Sequence, residues 1–166
     1  RARPPYPAAG TITGSGGQTR DSDLWPILSG YRLFGQVAER LGAAGIAVLR
    51  CDDRATGGSG GRADSATTAD LAEDTRAQLR WLRSRSDIDG KRLALIGHSE
   101  GGIIGPLLAA QERSLAALVI MAGPSKNGTD ILVDQARWPI LTATELPEET
   151  RAARMQEAEL AVRGDS

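Results

Sequence analysis

Apolar residues along this chain fall into two patterns: short unbroken runs, and stretches where they return every three or four positions. Residues 6–13 form a short apolar stretch with Thr and Ile that reads as a strand running into the glycine-rich segment 14–17. Residues 17–30, broken by Pro26 and Gly30, predict no element. Leu33, Phe34, Val37, Ala38 and Leu41 follow at helical spacing, and Gly42 and Gly45 end that helix. The continuous runs 46–51, 93–97 and 115–122 predict strands buried on both faces, as in a parallel sheet. Between them, a capping box at Thr67 and Asp70 opens a helix with Leu71, Thr75, Leu79 and Leu82 on one face. Residues 87–90 predict a turn. Residues 101–111 predict a helix that turns Ile103, Ile104, Leu107 and Leu108 inward and is kinked at Pro106. Beyond Gly123 the pattern predicts a helix over 129–137 capped by Thr129 and another over 147–162 with Pro147 at its start. The second has a weak apolar face and suits a covering role better than a core role.

Strands alternating with helices mean β-α-β units, and so an α/β fold: a parallel β-sheet with helices on both faces. A nucleotide binder shares that pattern. The glycine segment 14–17, however, lacks the Lys-Ser/Thr of a phosphate loop, and no G-x-G-x-x-G follows a strand.

Composition narrows the class. The 166 residues carry a formal net charge of −1, which argues against a general nucleic-acid or anionic-membrane surface. Cys51 is the one cysteine, so the fold does not depend on an oxidising compartment. No apolar run is long enough to span a membrane, and no signal-peptide pattern is visible. The location stays open, with the cytoplasm favoured, because the chain starts at Arg1 and reads like the middle of a longer protein.

The chemistry points to one stretch, L-I-G-H-S-E-G-G at residues 95–102. A strand leads into Ser99 and an apolar helix leads away, which is the setting that G-x-S-x-G requires of a nucleophile. Gly97 and Gly101 are needed because a turn this sharp brings backbone against backbone. The serine is expected in a strained conformation at the positive end of the following helix. An acyl-transfer serine also needs donors for the oxyanion. The Glu100 backbone N–H supplies one, and the glycine loop at 13–17, through the Ser15 backbone N–H, is the candidate for the other.

Several motifs occur in order: G-S-G-x-Q-x-R-D at residues 14–21, D-D-R at 52–54, G-H-S-E-G-G at 97–102 and A-G-P at 122–124. In these the chain resembles the α/β-hydrolase superfamily, in particular bacterial serine esterases of that fold. The resemblance implies Ser99 as nucleophile, Ser15 and Glu100 as oxyanion donors, and Asp52, Asp53 and Arg54 beside the site as supporting groups. It implies no metal and no cofactor, and a small-molecule ester as substrate. It further implies a hydrolase core over residues 1–124 and the start of a helical lid over 125–166. Four positions depart from the pattern. Thr13 stands where many relatives have histidine, Thr19 where aspartate is expected, Ala55 where D-D-R-G has glycine, and Gly10 interrupts a strand that is usually β-branched.

A serine needs a base within hydrogen-bond reach. In this fold the acid and then the histidine follow the nucleophile in sequence, yet His98 is the only histidine. Adjacent side chains on an extended segment point to opposite faces, so His98 is expected to pack at the elbow and not to serve Ser99. The expectation is therefore a serine hydrolase cleaving carboxylic esters through an acyl-enzyme, seen as an internal fragment that lacks its triad acid and histidine and is by itself inactive. Its last strand would form an open apolar edge suited to self-association. A peptidase, thioesterase or acyltransferase of the same fold, and a non-catalytic binding module, are the alternatives.

Overall fold

The computed structural model describes residues 3–23 and 29–164. Pro26, read above as a breaker, lies outside them. Two compact units are present, Arg1–Gly123 and Pro124–Ser166.

The first unit is a four-stranded parallel sheet in the order β2-β1-β3-β4, formed by β1 (Tyr6–Ile12), β2 (Ala47–Leu49), β3 (Ile88–His98) and β4 (Ala117–Met121). The helices are α1 (Leu33–Ala43), α2 (Thr68–Ser84) and α3 (Gly101–Gln111). Strand alternation sorts the core into two layers. Ala8, Ile12, Leu93 and Leu95 face one way and pack with Leu79 and Leu82 of α2 and with Ile104 and Leu108 of α3. Ala9 and Ile96 face the other way and pack with Phe34 of α1. The expected parallel sheet with helices on both faces is what the chain forms. The Thr67–Asp70 capping box also forms, with both of its hydrogen bonds in place.

Several details differ from the sequence reading. Residues 88–90 belong to β3, because Tyr6 pairs with Ile88 and donates its backbone N–H to the Asp87 carbonyl at 2.8 Å. Only β1 and β3 are central. Among the described strands β2 pairs with β1 alone and β4 with β3 alone, so β4 forms the open edge expected of it, while neither strand holds a fully buried residue. Val119 and Ile120 of β4 are about half exposed, at 48% and 49%. In α3 the buried positions are Gly101, Gly102, Ile104, Gly105 and Leu108, whereas Leu107 turns outward. The inward stripe follows small residues that admit close approach to the sheet. An apolar helix offers no polar face from which to read that choice.

Ala55 has φ 55°, in the left-handed region. Here the glycine of D-D-R-G would sit without strain, whereas a β-carbon costs about 1–2 kcal/mol, partly offset by the entropy that glycine loses on folding. Ala55→Gly is expected to raise unfolding free energy by about 0.5–1 kcal/mol, read from urea denaturation.

The second unit holds α4 (Gly128–Thr142) and α5 (Glu148–Arg163). The cap of α4 is Asn127, not Thr129. The Asn127 side chain accepts from the Asp130 N–H at 2.9 Å, so the cap lies two residues earlier than expected. The helix also runs on through Pro139. Arg163 of α5 reaches Asp130 of α4 at 3.2 Å and Glu159 at 3.1 Å, and no residue of α5 is fully buried.

Candidate active site

Ser99 sits between β3 and α3 with φ 53°. A serine in left-handed backbone is costly, and the surroundings enforce it. Its N–H donates to the Met121 carbonyl of β4 at 3.0 Å, and its carbonyl accepts from the Gly102 N–H at 2.8 Å. The glycines on either side allow the turn to close. A β-carbon on Gly97 would lie 2.1 Å from the Gly101 carbonyl oxygen, and one on Gly101 would lie 2.4 Å from that of Ile12. Both predicted close approaches are therefore present, against backbone that has no room to move aside.

The glycine loop after β1 reaches the serine. A β-carbon built on Gly14 would be 3.1 Å from Ser99 Cβ. The backbone N–H groups of Ser15 and Glu100 donate to no acceptor among the described residues, and Glu100 opens the first turn of α3. Ser15 itself is exposed. A cavity of about 200 Å³ adjoins this loop, with Gly14, Asp53, Arg54, Gln78, Glu100 and Ile104 on its wall. Ser99 is not on that wall; its two neighbours Gly14 and Glu100 are. The Glu100 carboxylate accepts from the Thr68 hydroxyl at 3.5 Å.

The three residues after β2 have separate partners. Asp52 binds Arg20 through two contacts, 3.0 Å to Nε and 2.7 Å to a terminal guanidinium nitrogen, and also accepts the N–H groups of Arg20 at 2.7 Å and Gly58 at 2.9 Å. These bonds, the Arg20 guanidinium first, hold its carboxyl well below the usual carboxylate range. Asp53 accepts from the Thr13 hydroxyl at 2.6 Å and from the Gln18 N–H at 2.8 Å. Burial pushes its pKa up, and these two hydrogen bonds only partly offset the rise. Arg54 turns to α2, where it grips the Asp74 carboxylate at 2.5 and 3.0 Å and the Asp70 carbonyl at 3.2 Å. Cys51 is half-buried on the cavity wall, and burial raises its thiol pKa.

The sequence reading did not assign Thr13, Gln18 or Ser22. Gln18 donates its side-chain amide to the Ser15 carbonyl at 3.2 Å and accepts from the Ser22 hydroxyl at 2.5 Å, and Ser22 is fully buried. The only sequence signal was that Gln18 falls inside the G-S-G-x-Q-x-R-D motif. Asp21 pairs with Arg32 at 2.9 Å and with Arg50. His98 shares no hydrogen bond with Ser99. Its Nδ1 is buried near Gly14, without a partner among the described residues. No three His, Cys, Asp or Glu side chains among the described residues converge as metal ligands would, and no helix among them is long and apolar enough to cross a membrane.

Asp52 gives the loops a pH dependence. Its folded pKa is depressed, so its contribution to stability is present above the unfolded value and is lost as pH falls through the folded one. Asp52→Asn is expected to lower stability at pH 7. That deficit should shrink progressively below about pH 4, the ordinary aspartate range. Urea midpoints for both proteins across pH 3–7 check this, and a deficit constant with pH would contradict it.

A family model described as serine aminopeptidase, S33, matches residues 29–157. An uncharacterised protein of Mycobacterium tuberculosis (strain H37Rv) is 40% identical over 85 residues, which is 51% of this chain and 29% of that protein. Among solved structures, an esterase of Pyrococcus furiosus superposes with a TM-score of 0.65 at 22% identity, covering 95% of this chain and 53% of its own. An α/β-hydrolase from a Penicillium species superposes at 0.60 with 23% identity, covering 91% of this chain and 47% of its own. The chain thus spans 29% of the curated relative and about half of these two structures.

Proposed function

Because the chain belongs to the serine aminopeptidase S33 family of α/β-hydrolases, we propose that it is a serine hydrolase that cleaves carboxylic esters through an acyl-enzyme on Ser99. One observation carries this reading: Ser99 is held in strained left-handed backbone at the start of α3, with Gly14 packed against it. The esterase of Pyrococcus furiosus among the structural neighbours supports the ester class. In the proposed mechanism Ser99 Oγ attacks the carbonyl carbon, and the N–H groups of Glu100 and Ser15 hold the oxyanion. The alcohol then leaves and water releases the acid. The general base is not His98, whose buried Nδ1 lies by Gly14. With no second histidine in the sequence, we place the base outside these 166 residues. Residues 125–166 are proposed as the start of a lid, supported by the exposed apolar side chains of Leu132, Trp138 and Leu141.

A second reading, an aminopeptidase, is favoured by the family description and by the acidic residue Glu100 on the cavity wall, which suits a substrate ammonium group. Turnover by the full-length protein of acyl p-nitrophenyl esters, with and without a free α-amino group, and of aminoacyl anilides separates the two. Preference for plain acyl esters upholds the first reading. Dependence on the free amino group upholds the second. Binding with no turnover of either series leaves the non-catalytic module.

A further inference from the structure

We infer that Asp53 is a positioning residue for oxyanion stabilisation, its single carboxylate clamping both ends of the glycine loop that lies against Ser99. The inference rests on the serine-hydrolase reading above.

The loop to be positioned is residues 14–17, of which Gly14, Gly16 and Gly17 have no side chain. Such a segment gives up more conformational freedom on ordering than any other. Gly14 packs against Ser99 and Gly17 lies against Thr56, but the tip between them is sparse in contacts: a β-carbon on Gly16 would meet nothing within 4 Å, and Ser15 is exposed. Order at the tip is therefore imposed from the flanking residues, and both flanks converge on Asp53. Thr13, just before the loop, donates its hydroxyl to one carboxylate oxygen at 2.6 Å. Gln18, just after it, donates its N–H to the other oxygen at 2.8 Å, and its carbonyl accepts the Asp53 N–H at 3.0 Å. The second anchor extends inward. The Gln18 side chain donates to the Ser15 carbonyl at 3.2 Å, which fixes the peptide plane inside the loop. Two donors, one at each oxygen, are what a carboxylate accepts and an amide cannot, because the amide NH₂ would face one of them.

Oxyanion donors act on charge that develops in the transition state, so they must already be in place when it forms. Loosening the clamp should therefore lower kcat and leave KM nearly unchanged. A role confined to folding would instead reduce the number of active sites.

The test uses the full-length protein with a plain acyl p-nitrophenyl ester, the active sites being counted by fluorophosphonate titration. Asp53→Asn is expected to lower kcat per titrated site by about 10- to 100-fold, with KM within about 2-fold. Thr13→Val, which removes one arm and spares the carboxylate, should lose about 3- to 10-fold. Thr13→Ser, which keeps the hydroxyl, should stay within about 2-fold of wild type. The Thr13 pair also keeps the inference testable should Asp53→Asn fail to fold. An unchanged kcat per site in Thr13→Val, or a loss appearing wholly in KM or in the count of sites, overturns the clamp. Ser99→Ala, run alongside, tests the underlying reading separately. Full activity in that variant would sink the serine-hydrolase proposal itself, whatever Asp53 does.

Discussion

Ser99→Ala is expected to lower ester turnover by the full-length protein by on the order of 10⁴- to 10⁶-fold and to abolish fluorophosphonate labelling. The size follows from what remains. The substitution leaves the Glu100 and Ser15 N–H groups in place, and in the proposed mechanism these alone would sustain some acceleration over water. The proposed nucleophile, however, has no substitute. Cys51 is half-buried on the cavity wall with its thiol pKa raised, which is the wrong direction for a nucleophilic thiolate. Intact mass after labelling gives the answer directly, as one adduct on the wild type and none on the variant. An adduct of equal yield on both would remove Ser99 from the mechanism.

The second large effect is on stability. Gly97→Ala is expected to cost about 3 kcal/mol or more, because its β-carbon would lie 2.1 Å from the Gly101 carbonyl oxygen and 2.5 Å from the carbon that bears it. That oxygen belongs to the first turn of α3, and Gly97 itself is paired with Ile12 and Ile120 on the strands either side. Relief would require shifting either the helix or the centre of the sheet. The loss is read from the urea midpoints of wild type and variant. Gly16→Ala is the control. It has open space, so it carries only the cost of its φ of +82°, about 1 kcal/mol. Similar losses in the two variants would mean that the elbow is looser than its contacts indicate.

The strand-helix alternation and the elbow could be read from the sequence because they are local. The run at 93–97, the flanking glycines and the helix after them lie within twenty residues. Leu-Val-Ile itself looks the same in a central strand and at an edge; the open edge of β4 was expected because no further apolar strand follows it in the sequence, and not from its own residues. The strained residue could be anticipated at Ala55, because a motif supplied the glycine it replaces. Ala122 and Arg32 have φ values of 49° and 45° and gave no such signal. The clamp was illegible for a different reason. Thr13, Gln18 and Asp53 are ordinary polar residues, and what joins them is the pairing of β1 beside β2, which brings together positions 35 and 40 apart in sequence.

The left-handed φ of Ser99 carries a consequence for how such a site persists. At that backbone position glycine would be strain-free, whereas serine costs about 1–2 kcal/mol. Drift governed by stability alone therefore runs toward glycine here, and a single substitution would complete it. A serine in this place is a debit renewed in every generation, and its hydroxyl is the one thing that glycine cannot supply.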